Sequence, residues 1–165
     1  MTTLVTLPVL LPMLGAGLTV MGSRWATAQR LIGVVVLTVV AILAAVLLVA
    51  ADRSGPIVVQ MGGWTPPVGI SLVADRLSTL LLLVSTLVTL AVLVYSIDQR
   101  IADYGRETPS TTFHPMYLLL CAGVSLAYLT GDLFTLFVAF EVMLAASYVL
   151  ITRRTSASWI RSGMT

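Results

Sequence analysis

The sequence predicts an all-α integral membrane protein of about five transmembrane helices, with a short external β-hairpin between the second and third. Three observations carry that prediction. Of 165 residues, 58% are hydrophobic and only 10% are charged, where a soluble domain averages about 25% charged. Mean hydropathy is +1.03. The apolar residues gather into long runs, each near the ~20 residues that cross a hydrocarbon layer of ~30 Å.

The first span covers about residues 2–22 and contains Pro8 and Pro12. A membrane helix tolerates proline because neighbouring helices re-satisfy the carbonyls it frees. The first charge in the chain is Arg24. A secretory signal carries a basic region before its apolar stretch, so this span is expected to be retained rather than cleaved. The second span, about 31–50, runs between Arg30 and Asp52 and is nearly pure Val, Leu, Ile and Ala. It is expected to face lipid.

Residues 52–75 form a loop with its own character. Residues 56–60 and 69–73 read as short strands, separated by Gly62-Gly63, Trp64 and Pro66-Pro67. That pattern predicts a hairpin at the membrane surface, with Trp64 as an interfacial anchor. The remaining spans cover about 76–97, 115–130 and 132–152. The Thr130-Gly131-Asp132 link is so tight that the last two helices should be antiparallel neighbours. Residues 1–165 are expected to form a single membrane domain.

Orientation follows from the arginines. All nine basic residues are Arg; there is no Lys. With five spans the ends lie on opposite sides. A cytoplasmic C-terminus puts Arg24, Arg30, Arg100, Arg106, Arg153, Arg154 and Arg161 inside, and only Arg53 and Arg76 outside. This positive-inside bias predicts a multi-pass cell-membrane protein with its N-terminus and hairpin external. Arg153-Arg154 close the fifth helix, where cations suit the dipole and the cytoplasmic side, and are expected to anchor it.

Composition excludes several classes. A net charge of +2 is too small for a nucleic-acid partner. One cysteine, Cys121, excludes an internal disulfide and a cysteine metal cluster. One histidine, His114, excludes a multi-histidine site made by this chain alone. No nucleotide-binding, metal or nucleophile motif is present, so no cofactor is expected.

Glu141 is the main candidate for chemistry. It lies midway along the fifth span, where a charge costs several kcal/mol on scales that differ widely. Its helical face holds Phe134, Phe137, Val138, Leu144, Ala145 and Tyr148. A carboxyl desolvated there would hold and release a proton, or be ionised beside a cation. The alternative is a structural acid bonded to another helix or subunit. On the third span Ser78, Ser85, Thr89 and Ser96 make a hydroxyl stripe, fit to line a hydrated path or to pack helices closely. Cys121, Ser125 and Tyr128 share a face of the fourth span; Ser125 and Tyr128 either extend a proton route towards Glu141 or pack. Asp75 and Asp132 each open a helix, as caps or at a channel mouth. His114 starts the fourth span, where a histidine near an entrance can relay protons.

Residues 62–76, reading Gly-Gly-Trp-Thr-Pro-Pro-Val-Gly-Ile-Ser-Leu-Val-Ala-Asp-Arg, resemble the D-type subunits of Mrp multisubunit sodium/proton antiporters. So do residues 131–148, the most specific stretch, together with Phe113-His114-Pro115 and the Leu7–Pro12 opening. The resemblance runs along nearly the whole chain, and the wider family includes the antiporter-like proton-pumping subunits of respiratory complex I. It implies a secondary transporter subunit rather than an enzyme, with no bound cofactor. Its implied partners are the other subunits of the complex, the lipid bilayer, protons and monovalent cations, sodium first. It also implies that Glu141 is the fifth-helix glutamate of a proton path. Thr135 departs from the pattern, which more often has Asn. Family members have about fourteen spans and place lysines on later helices. This chain has five spans and no Lys, so the resemblance implies a truncated, N-terminal part of that fold, not active alone.

Overall fold

The structure is a computed structural model and describes residues 2–23, 25–61, 69–98 and 112–152. Five helices and one strand pair follow in order: α1 (Thr2–Met21), α2 (Ala26–Ser54), β1 (Ile57–Gln60), β2 (Ser71–Ala74), α3 (Arg76–Asp98), α4 (Phe113–Leu129) and α5 (Leu133–Thr152). Helices α1, α2, α3 and α5 are long and apolar enough to cross a membrane. Helix α4 has 17 residues, the lower end of the ~17–25 range for a span. Trp64, the two prolines beside it, and Arg153-Arg154 lie outside the described residues, as do Arg24, Arg100, Arg106 and Arg161.

The helices alternate in direction. α1, α3 and α5 run away from the hairpin end of the bundle, and α2 and α4 run towards it. α1 continues through Pro8 and Pro12, both buried. α2 runs beyond the 31–50 expected from its charges. Arg30 and Asp52 do not end it, because long or terminal polar side chains reach water from the last turns of a helix. It stops at Gly55, whose φ of +81° only glycine adopts cheaply and whose amide donates to the Ala51 carbonyl. The second helix, expected to face lipid, is buried on one of its sides. One face is exposed (Leu31, Val35, Ile42, Val46, Val49), and the other is buried through Gly33, Leu37, Val40, Ala44, Leu47 and Ala51.

Two packed clusters hold α1 to α4 together. At the hairpin end, Val5 and Val9 meet Ala44, Leu47, Leu72, Ala74, Leu82 and Leu129. In the other half, Ala16 meets Leu37, Leu93, Tyr117, Leu118 and Cys121. In lipid such contacts are held by van der Waals fit rather than by expulsion of water, so small residues at the contacts count heavily. Helix α5 supplies no fully buried member of either cluster and reaches the second only through Leu150. It rests chiefly on α4, through Thr135, Ala139 and Ala146. Gly123 makes the approach possible: a Cβ there would sit 2.8 Å from Met143 Cγ.

The hairpin pairs antiparallel from Ile57↔Ala74 to Gln60↔Ser71. Its inner strand docks on the α4–α5 turn. Leu72 bridges Thr130, and the Gly131 amide donates to the Ser71 carbonyl at 2.8 Å. Gly131 has no room for a side chain, since a Cβ would lie 2.7 Å from Val73 Cγ2.

Candidate functional site

Helix geometry decides which way Glu141 points. At about 100° per residue, it lies on the side of α5 opposite Ala139 and Ala146, the residues buried against α4. Glu141 is therefore exposed on the outside of the bundle. Its face is apolar and equally uncovered: Phe134 is 73% exposed, Phe137 59%, Leu144 62% and Tyr148 70%. Tyr148 follows two turns further along, roughly 10 Å away by the helical rise. These five helices leave the carboxyl uncovered by protein. Towards the hairpin end this face borders an apolar cavity of about 160 Å³ between α1, α5 and the hairpin, lined by Val9, Leu72, Leu126, Phe134 and Val138 among others. Thr6 and Thr135 are its two hydroxyl residues.

Ser125 and Tyr128 are not brought to Glu141. Ser125 is two residues from Gly123, which faces α5, and so lies across α4 from it. It is buried, donates to the Cys121 carbonyl at 2.9 Å and faces α2 and α3. Tyr128 packs on the hairpin-end cluster. His114 is 4% exposed, within the bundle end opposite the hairpin. Its ring meets Phe113 edge-on at 5.3 Å, and a Cβ on Gly33 would lie 3.7 Å from its Nδ1. The enclosure removes the open-entrance setting expected for it.

The two aspartates hold helix starts. Asp75 Oδ1 accepts the Ser78 amide at 2.6 Å, and the Asp75 amide donates back to Ser78 Oγ at 3.0 Å. This reciprocal arrangement satisfies two otherwise orphaned donors. The bonds from Ser78 hold the Asp75 carboxyl below its ordinary range. Asp132 Oδ1 accepts the Thr135 amide at 2.6 Å, and Oδ2 accepts the Ser71 amide at 3.2 Å. Partial burial pushes the Asp132 carboxyl up, but the bonds from Thr135 and Ser71 outweigh it and leave it lowered. Sequence reading missed the second bond, because Ser71 is 61 residues away. It also missed Thr79 and Thr86, which are buried on α3 beside the expected stripe.

Among the described residues no cluster of three or more His, Cys, Asp or Glu is placed to hold a metal. What remains is one carboxylate on the open face of a membrane helix. Apolar bundle and docked hairpin together define a multi-pass membrane protein. A chain of a membrane-bound sulfane sulfur reductase, an archaeal respiratory complex, shares the fold at TM-score 0.84 and 23% identity, over 99% of this chain and 33% of that one. A chain of the Mrp complex from Dietzia matches at TM-score 0.80 and 33% identity, over 91% of this chain and 27% of that one. The Na(+)/H(+) antiporter D subunit of Alkalihalophilus pseudofirmus is 37% identical over 151 residues, 92% of this chain and 30% of that protein. The D subunit of a "probable K(+)/H(+) antiporter" from Rhizobium meliloti is 39% identical, over 98% of this chain and 30% of its own length. No family model matches the chain. Along nearly its whole length the chain is therefore similar to a stretch of antiporter D subunits and of a chain of the Mrp complex. It spans about 30% of the length of the curated relatives it matches.

Proposed function

We propose that this chain is the N-terminal portion of a monovalent cation/proton antiporter subunit, and that Glu141 is a proton-carrying residue of the whole protein. The observation that carries this reading is the outward direction of Glu141 on a membrane-spanning helix. A charge left in hydrocarbon at a helix centre costs about 2.5–3.5 kcal/mol on an insertion scale and more by simulation. That cost is avoided if protein covers the face. The share of its relatives that the chain spans supplies the room: about two thirds of such a subunit lies outside this stretch. The covering helices are where a lysine partner for Glu141 belongs, since this chain has none. Glu141 would exchange its proton as that lysine's charge changes, with no covalent step. The arginine distribution supports an external hairpin and N-terminus. The relatives' names carry both Na(+) and K(+); sodium is our first choice.

A redox-linked complex is the second reading, favoured by the fold shared with the respiratory reductase. The Mrp assignment is preferred because identity rises from 23% there to 33% with the Dietzia chain. The test is Glu141→Gln in the assembled complex, with subunit stoichiometry and cation-driven proton exchange measured separately. Exchange should be lost with assembly intact. Normal exchange refutes the proton role, and failed assembly instead makes Glu141 a structural contact.

A further inference from the structure

A second polar group lies away from Glu141, where α2, α3 and α4 meet. The helices leave a cavity of about 10 Å³ there, measured as the space open to the centre of a water molecule. One water requires at least about 10–15 Å³ by that measure, and two to four polar partners. Ser85, Thr86 and Thr89 of α3 and Cys121 and Ser125 of α4 supply the polar lining. Thr86, Cys121 and Ser125 are 5%, 6% and 3% exposed, and Ser85 and Thr89 are half-buried at its edge.

The hydroxyl protons here are committed within their own helices. Thr86 donates to the Leu82 carbonyl at 2.7 Å, Ser125 to the Cys121 carbonyl at 2.9 Å, and Thr89 to the Ser85 and Thr86 carbonyls, each at 3.0 Å. A hydroxyl has one proton and two lone pairs. Thr86 on α3 and Ser125 on α4 therefore keep lone pairs free at the cavity, with the Ser85 hydroxyl and the Cys121 thiol as the donors in the same lining. Nearby, Tyr117 Oη donates to the Thr89 carbonyl at 2.7 Å, which shows α3 and α4 already joined by polar contact in this layer. A dry gap would leave those lone pairs unused in a low-dielectric medium, at a cost that a bridging donor removes.

We propose that this cavity holds one ordered water, donating to Thr86 and Ser125, accepting from Ser85, and joining α3 to α4 inside the bilayer. The site is independent of Glu141, which lies across α4 on the far side of α5. Hydroxyl-radical footprinting by X-ray pulse tests it on native membranes that contain the chain. Radicals form from water, so a buried thiol beside a bound water is oxidised while dry buried side chains are spared. Cys121 should gain oxygen in the unaltered protein. Ser85→Val, which fills the cavity, should lose that label, while exposed Met21 and Trp25 are oxidised as before. Ser125→Ala, which removes one acceptor with little change in shape, should lower it. An unlabelled Cys121, or full labelling that survives both substitutions, overturns the proposal. If Ser85→Val fails to reach the membrane, the unaltered protein and Ser125→Ala decide.

Discussion

Replacing Asp132 by Ala removes two acceptors at once. The first holds the Thr135 amide at 2.6 Å at the start of α5; the second holds the Ser71 amide at 3.2 Å on β2. Loss of a helix cap costs about 1 kcal/mol. A hydrogen bond to a charged acceptor contributes about 1.5–3 kcal/mol; the longer, half-exposed bond to Ser71 belongs at or below the bottom of that range. The sum is about 2 kcal/mol, or roughly 30-fold in the local opening equilibrium. Hydrogen exchange should therefore accelerate by about that factor at Ser71 and at Thr135 together. Asp132→Asn keeps one good capping oxygen and should recover most of the protection at Thr135. Unchanged exchange at both amides in the alanine variant refutes the clamp. Transport lost with both amides still protected would show instead that Asp132 acts at an ion mouth.

Three further outcomes follow from the same geometry. Gly123→Ala should weaken the α4–α5 contact by about 1–3 kcal/mol, the usual cost of overpacking, because its Cβ would meet Met143 Cγ at 2.8 Å; Gly17→Ala, with nothing within 4 Å, should leave a detergent melting curve unchanged. Acid should loosen the hairpin end. Both Asp75 and Asp132 have carboxyls lowered from 3.8 in the folded chain, so their stabilisation is complete above that value and is lost as pH falls below it, through the lowered folded values. Amide exchange at residues 71–78 across that range reads the effect, and Asp132→Asn should flatten it. Third, Glu141→Leu should raise membrane insertion of the isolated chain, where the face is uncovered, and abolish exchange in the assembled complex; equal insertion of the two chains would contradict an exposed, costly charge.

Much of the architecture is legible in the sequence because the bilayer restricts what a chain can do. Apolar runs near twenty residues have to be helices, since only a helix satisfies its own backbone bonds in lipid. Gly131 and Asp132 announce the tight turn between α4 and α5, and Asp75 announces the start of α3. The end of α2 is less legible. Asp52 and Arg53 look like a boundary by charge, but the helix holds to Gly55, where the backbone changes hand. The hydroxyls of α3 show the limit of spacing arguments. Ser78, Ser85, Thr89 and Ser96 share a side of a helix, yet Ser78 commits its side chain to a cap while Thr86, outside the pattern, joins Ser85 and Thr89 at the cavity.

The sequence by itself determined the spans, the hairpin and the one costly carboxylate, because hydropathy and turn chemistry are local. Only the tertiary structure decided direction. It turned Ser125 towards α2 and α3, enclosed His114, and tied Asp132 to a strand far away in the chain. Above all it left Glu141 facing outward, because α5 buries its small residues, Ala139 and Ala146, against α4 and has to present the opposite side elsewhere. Periodicity assigns residues to the same face of a helix; it does not say which face meets a neighbour. That is settled by where two backbones can approach, and here Gly123 settles it.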